Sequence, residues 1–283
     1  MKFAFHNCTK KEEAEVVLVG VPDETGSYAF RKGASKGPNA IRKASLDRLR
    51  FVRKGDIHYV IPERGNFKVK FFDAGDIKKS HLSIFIDSLT EKQFPITLGG
   101  DHSSTFFVLR SLQAKYNEIA VIYLDAHPDM VSSMHENYYG SVAFDIANLK
   151  HVNKNKIIEL GIRSIEAEEI KNLRKNHISS FTALDIYEQG VNKIFAFIKK
   201  KVDNTPLYLS IDLDVLDPAF APGVDTPAPF GLLPNEYLSL IKRCAKLNLI
   251  GFDIMEMSPK YDKEGKTSQL AAQTILEILG SRR

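Results

Sequence analysis

Short apolar runs alternate along this chain with longer stretches whose apolar positions recur every three to four residues. The short runs predict strands over 16–21, 68–72, 94–98, 119–124, 157–162, 179–183, 207–211 and 249–255. The longer stretches predict helices over 38–51, 81–92, 103–116, 167–175, 191–202, 235–247 and 267–279, with a Pro- and Gly-rich loop over 217–234. Strands alternating with helices of this length imply parallel βαβ units and an α/β fold. The run Ile119-Ala120-Val121-Ile122-Tyr123-Leu124 has no polar position. Such a strand fits a sheet covered on both faces. No linker, low-complexity segment or internal repeat interrupts the pattern, so one domain over 1–283 is expected.

The polar residues of interest stand where apolar strands stop. Asp125-Ala126-His127-Pro128-Asp129 follows the run 119–124, and Asp212-Leu213-Asp214 follows 207–211. Were these segments extended, alternate residues would point to one side, so Asp125, His127 and Asp129 would converge, as would Asp212 and Asp214. Gly99-Gly100-Asp101-His102-Ser103 closes a third strand and puts His102 at a helix start. Parallel α/β sheets bind ligands beyond the carboxyl ends of their strands. His102, Asp125, His127, Asp129, Asp212 and Asp214 together offer four carboxylates and two imidazoles, with no Lys or Arg inside these motifs. Clustered carboxylates are costly to bury unless a cation neutralises them. Two divalent ions balance four carboxylates where one leaves a deficit. The oxygen-rich set with two imidazoles suits Mn²⁺ better than Zn²⁺, and magnesium favours fewer imidazoles. Iron and cobalt are compatible with the same donors.

Composition narrows the class further. The 283 residues carry 39 basic and 35 acidic side chains, a net charge of +4, too balanced for a nucleic-acid or membrane-surface partner. Only two cysteines, Cys8 and Cys244, are present, which points away from a disulfide framework and towards the cytoplasm. The first residues lack the apolar core of a signal peptide, and no stretch approaches the ~20 apolar residues of a membrane span.

The three motifs, with Ser210-Ile211-Asp212-Leu213-Asp214-Val215-Leu216-Asp217-Pro218 as the full form of the third, resemble the signatures of the ureohydrolases, the family of arginases, agmatinases and formiminoglutamases. Val19-Gly20-Val21-Pro22, Leu160-Gly161-Ile162-Arg163-Ser164 and Asp253-Ile254-Met255-Glu256-Met257-Ser258-Pro259 are similar to further family segments, so the resemblance spans most of the chain. It implies a three-layer αβα sandwich with a central, mainly parallel sheet, and assembly as a homotrimer or homohexamer. It implies two Mn²⁺ per subunit, one held by His102, Asp125, Asp129 and Asp212, the other by Asp125, His127, Asp212 and Asp214. It also implies that Glu256 binds the guanidinium of a small guanidino substrate, that Thr226 lies on the substrate loop, and that Asp129 relays the proton of an attacking hydroxide to the leaving amine.

One slot departs from the family pattern. Where family members carry a histidine after the second motif, this chain reads Asn137-Tyr138-Tyr139-Gly140, leaving Tyr139 or the earlier His135 for the proton shuttle. A phenol titrates near 10, a poor match to neutral-pH shuttling. The residues 130–135 do not resemble the arginase loop that reads the amino-acid end of arginine, so agmatine is the expected substrate, giving urea and putrescine. Guanidinobutyrate, aminopropylagmatine or arginine are the alternatives, as is a metal-binding relative that has lost turnover.

Overall fold

The computed structural model describes residues 1–46, 60–61, 65–66, 69–133 and 137–282. In chain order the strands are β1 (Val16–Val21), β2 (Val60–Ile61), β3 (Gly65–Asn66), β4 (Phe71–Asp76), β5 (Phe94–Gly99), β6 (Ile119–Leu124), β7 (Val152–Ile162), β8 (Ser179–Thr182), β9 (Leu207–Asp212) and β10 (Leu249–Met255). The helices are α1 (Gly37–Leu46), α2 (Leu82–Asp87), α3 (Ser104–Leu112), α4 (Val142–Ala147), α5 (Ala167–Lys175), α6 (Ala183–Gln189), α7 (Val191–Val202), α8 (Pro234–Cys244) and α9 (Lys266–Ser281). Eight strands form one sheet in the order β4-β1-β5-β10-β9-β6-β7-β8, and every pairing in it is parallel.

Alternating side chains send each strand's apolar residues to both faces, which is why the strands read as continuous apolar runs. On one face Leu18, Ile96, Ile122, Leu209 and Phe252 pack with α1, α7, α8 and α9 through Ile41, Ile194, Leu240 and Ile275. On the other, Val17, Val121 and Tyr208 pack with α2, α3, α4 and α5 through Leu82, Val108, Ile146 and Leu173. The result is the expected three-layer αβα sandwich. Cys8 and Cys244 are buried and unpaired with each other. No helix among the described residues is long and apolar enough to cross a membrane.

Several elements differ from the pattern-based expectation. The strand expected over 68–72 is Phe71–Asp76, running on through two acidic residues beyond the expected end. Arg42 explains it. Its guanidinium is buried and takes Asp73 in a bidentate grip (Nε to Oδ2 2.8 Å, Nη2 to Oδ1 3.0 Å), and it also reaches Asp76. A Cβ on Gly20 would fall 2.0 Å from Asp76 Oδ1 and 2.8 Å from Arg42 Nη1, so only glycine lets this pair lie against β1. Replacing Arg42 with alanine strands a buried carboxylate. The expected loss is about 3–5 kcal/mol of unfolding free energy, read from urea melts.

The helix expected over 38–51 begins at Gly37 and is described to Leu46; residues 47–51 lie outside the described residues. The helix expected over 81–92 stops at Asp87, where Ser88 Oγ bonds back to the Phe85 carbonyl and Gln93 closes a turn on the Thr90 N–H. Two short helices had no expectation. In α4, the N–H groups of Ala143 and Phe144 donate to the Asp129 carbonyl, at 3.1 and 3.2 Å. In α6, Thr182 Oγ1 caps the Asp185 N–H at 2.9 Å.

Candidate metal and guanidino site

The four central strands of the sheet, β5, β10, β9 and β6, are neighbours in space, and being parallel they end at one edge. Each ends in a motif: His102 after β5, Glu256 after β10, Asp212 and Asp214 at β9, and Asp125 after β6. Side chains far apart in sequence are thus delivered to one place.

Strand alternation is not what aims them, which corrects the sequence-based geometry. β6 stops at Leu124, and Asp129 sits at φ 51°. This left-handed kink turns its carboxylate back toward Asp125. Leu213–Val215 is a single 3-10 turn in which Asp212 Oδ1 accepts the Asp214 N–H at 2.8 Å. Backbone donors fix the remaining carboxylates: the His127 N–H reaches Asp125 Oδ1 at 2.7 Å and the Ala126 N–H reaches Asp214 Oδ1 at 3.0 Å.

His102 is fully buried. Its Nε2 lies 2.8 Å from Ser210 Oγ, which donates its own proton to Asp253 Oδ1 at 2.8 Å. Ser210 therefore accepts from Nε2–H, and Nδ1 is left to face Asp125 Oδ2 at 3.0 Å, Asp129 Oδ2 at 3.2 Å and Asp212 Oδ2 at 3.5 Å. His127 Nδ1 faces Asp214 Oδ2 at 3.0 Å and Asp125 Oδ1 at 3.7 Å. Two ligand groups result, His102 with Asp125 and Asp129, and Asp125 with His127 and Asp214, and Asp125 belongs to both. Asp212 stands beside the first group through Oδ2 and beside Asp214 through Oδ1. Nδ1 of His102 has no hydrogen-bond partner of its own among the described residues, and three carboxylate oxygens crowd it. A lone pair so placed needs a proton or a cation, and the mixed oxygen and imidazole donors fit a divalent ion.

Without an ion, protons do that work. Burial disfavours a charged His102, but the Asp125 and Asp129 carboxylates outweigh it and raise the imidazole well above its usual range. His127 is likewise lifted, against its own burial, to about 12 by Asp214 and Asp125. Burial and the Asp125 charge push Asp129 up to about 7. Cation uptake must displace these protons, so apparent affinity is expected to rise with pH. Titrating Mn²⁺ calorimetrically between pH 6 and 7.5 reads this as roughly tenfold per pH unit for each proton released. A flat profile contradicts it.

Glu256, also left-handed at φ 62°, is buried beside this centre. Its Oε1 accepts the His102 N–H at 2.9 Å, while Oε2 has no partner among the described residues. Burial, with Asp101 next, pushes its carboxyl well up. A cavity of about 170 Å³ opens over the site, lined by His127, Asp129, Asp212, Thr226 and Tyr139 among others. Thr226 Oγ1 donates to Asp214 Oδ2 at 3.1 Å, so the residue expected on the substrate loop touches the ligand cluster itself. A larger cleft of about 760 Å³ lies at the opposite edge of the sheet, by Asn204 and Asn248, and holds none of these ligand residues.

The model of the arginase family matches residues 14–280. The chain belongs to the arginase family. As a member it is a metal-dependent amidinohydrolase, a guanidino hydrolase by class. It is 36% identical over 282 residues to proclavaminate amidinohydrolase of Streptomyces clavuligerus, covering 94% of this chain and 87% of that one. The solved structure of that protein superposes with a TM-score of 0.85 at 34% identity, over 95% of this chain and 91% of the other. Agmatinase of Proteus mirabilis is 28% identical over 289 residues, covering 99% and 91%.

Tyr139, expected in place of the family's histidine, lines the cavity. Burial, with Tyr138 and Glu256 next, pushes its phenol further above its usual range, away from neutral-pH titration. His135 lies outside the described residues. Two residues went without a role on sequence grounds. Asp253 is fully buried in β10 and gathers Ser210 Oγ, Tyr208 OH and Thr105 Oγ1 at 2.8, 2.8 and 2.9 Å, holding Ser210 against His102. Glu159 is fully buried in β7, and burial, with the Asp125 and Asp129 charges next, pushes its carboxyl well up. The available signal was an acid inside an otherwise apolar run, 157–162 for Glu159 and 249–255 for Asp253.

Proposed function

We propose that this protein hydrolyses agmatine to urea and putrescine, using two Mn²⁺ ions. His102, Asp125, Asp129 and Asp212 would hold one, and Asp125, His127, Asp212 and Asp214 the other. When bound, the ions would supply Lewis-acid polarisation and lower the pKa of a coordinated water. The observation that carries the reading is Glu256 Oε2, a buried carboxylate oxygen without a partner among the described residues, beside two ligand groups that share Asp125.

An arriving guanidinium offsets the charge of Glu256 and satisfies that oxygen. Because Oε1 is tied to the His102 N–H, the guanidinium carbon is held over the ligand cluster rather than left to wander. Asp129, whose carboxylate borders the cavity, would take a proton and return it to the departing amine. Tyr139 keeps its proton at neutral pH and serves as a donor lining the cavity, not as a shuttle. The chain acts as one domain in the cytoplasm, as a trimer or hexamer.

The 36% identity to proclavaminate amidinohydrolase favours a second reading, a substrate of that type. Urea release from agmatine, arginine, 4-guanidinobutyrate and proclavaminate type substrates, with Mn²⁺, separates them. Agmatine is expected to give the highest kcat/KM, and faster turnover of any other member of the panel overturns the assignment.

A further inference from the structure

Arg163 follows β7 and spends its charge on the backbone. Every partner of its guanidinium among the described residues is a main-chain carbonyl. Nη2 donates to Asp214 at 2.6 Å, Ala228 at 2.8 Å and Leu216 at 3.3 Å. Nη1 donates to Gly161 at 2.9 Å and Val215 at 3.3 Å, and Nε to Pro229 at 3.0 Å. These carbonyls belong to the end of β7, to the turn that carries Asp214 and to the loop that carries Thr226. The N–H donors of a guanidinium lie fixed in one plane, so a single side chain sets the spacing of all of them. A Cβ on Gly231 would fall 2.6 Å from Nη2, so the loop closes directly on the clamp. Burial draws the guanidinium down from its usual range, and the charges of Asp214, Asp125, Asp217 and Asp212 draw it back, so the cation faces the ligand cluster.

The main chain of the same residue reaches the second motif. The N–H groups of Arg163 and Ser164 donate to the Ala126 carbonyl at 2.9 and 3.0 Å. Ala126 stands between Asp125 and His127, and its own N–H donates to Asp214 Oδ1 at 3.0 Å. Asp214 Oδ2 accepts from Thr226 Oγ1 at 3.1 Å and faces His127 Nδ1 at 3.0 Å. Both donors to the Asp214 carboxylate thus hang on Arg163, Ala126 through its backbone and the Thr226 loop through its side chain. The His102 group is held by other means. Ser210 and Asp253 orient its imidazole, and Lys79 ties the turn before it through Asp101.

We propose that Arg163 is a positioning residue for one ion and not the other: it holds Ala126, Asp214 and the Thr226 loop in the arrangement that lets Asp125, His127 and Asp214 take a divalent cation. This rests on the two-ion reading above. Losing the clamp frees the Asp214 carboxylate to turn away, while the supports of His102 stay in place. A lysine at this position keeps the charge but cannot span the three segments, because an ammonium lacks the planar fork.

Metal-free wild type, Arg163→Ala and Arg163→Lys are titrated with Mn²⁺ by calorimetry, and crystals grown at limiting Mn²⁺ are read by anomalous diffraction. In both variants one ion is expected to bind roughly ten- to hundredfold more weakly, the usual effect of removing a group that orients a metal ligand. The anomalous peak beside His127 Nδ1 should fade and the peak beside His102 Nδ1 persist. Circular dichroism establishes that each variant is folded, and the lysine variant carries the test where the alanine variant is not. Equal weakening of both ions, no weakening of either, or a lysine variant indistinguishable from wild type overturns the proposal. Wild type that takes up fewer than two ions instead removes the two-ion reading. Hydrogen exchange on the metal-free proteins then decides the clamp by itself. Faster exchange in Arg163→Ala confined to 213–216 and 226–231 keeps it, and no change, or acceleration throughout the sheet, overturns it.

Discussion

Replacing Asp125 with alanine is expected to cost the protein both metal ions at once. Asp125 belongs to both ligand groups, with Oδ2 facing His102 Nδ1 and Oδ1 on the His127 side. Burial works against its charge, yet His102 and His127 hold its carboxyl well below the usual carboxylate range. It is therefore the negative charge on which the cluster is organised. Metal content in the variant should fall below one equivalent per chain. Urea release should fall at least about a thousandfold, since removing several kcal/mol of charge stabilisation costs a decade of rate for each ~1.4 kcal/mol. The fold should survive, because the substitution takes away one of several crowded buried carboxylates. Elemental analysis beside circular dichroism checks both. A variant that keeps two equivalents of metal refutes the shared role.

Glu256→Gln should separate substrate binding from metal binding. The amide keeps an oxygen for the His102 N–H and keeps the shape of the left-handed turn, but it offers no charge to a guanidinium. Losing one partner of a buried, hydrogen-bonded ion pair costs about 2–5 kcal/mol, or roughly 30- to 5,000-fold in kcat/KM. Metal content and the pH dependence of metal uptake should match wild type. An unchanged kcat/KM would remove Glu256 from the site.

Much of this was legible because strand ends are easy to read. Continuous apolar runs such as 119–124 and 207–211 end in charge, and parallel connectivity brings those ends to one edge. The rule that grouped these residues was incomplete, however. Alternation along an extended chain stops at Leu124. What aims Asp129 is a kink at φ 51°, and what aims Asp214 is a 3-10 turn capped by Asp212. Neither conformation is written in the spacing of acidic residues.

The supporting contacts were not legible. Asp253 acts on His102 through Ser210, a relay across β10, β9 and the turn after β5 that exists only once the register Asp253↔Ser210 is set. Lys79, buried between Asp23 and Asp101 at 2.8 and 3.1 Å, holds the turn before His102 through an ion pair between distant segments. Arg163 had no role on sequence grounds and proves to be a backbone clamp. Helix α4 was missed because six residues carry too little periodicity, and its start is set by the Asp129 carbonyl, a tertiary partner. Long-range pairing, not local pattern, determines each of these.

The central claim is that carboxylates and imidazoles from separate loops share a pair of divalent cations. Anomalous diffraction from crystals of the Mn²⁺-reconstituted protein tests it most directly. Two peaks per chain are expected, one beside His102 Nδ1 and one beside His127 Nδ1, with Asp125 touching both. No peak at either imidazole, in protein that is folded and fully reconstituted, would contradict the account.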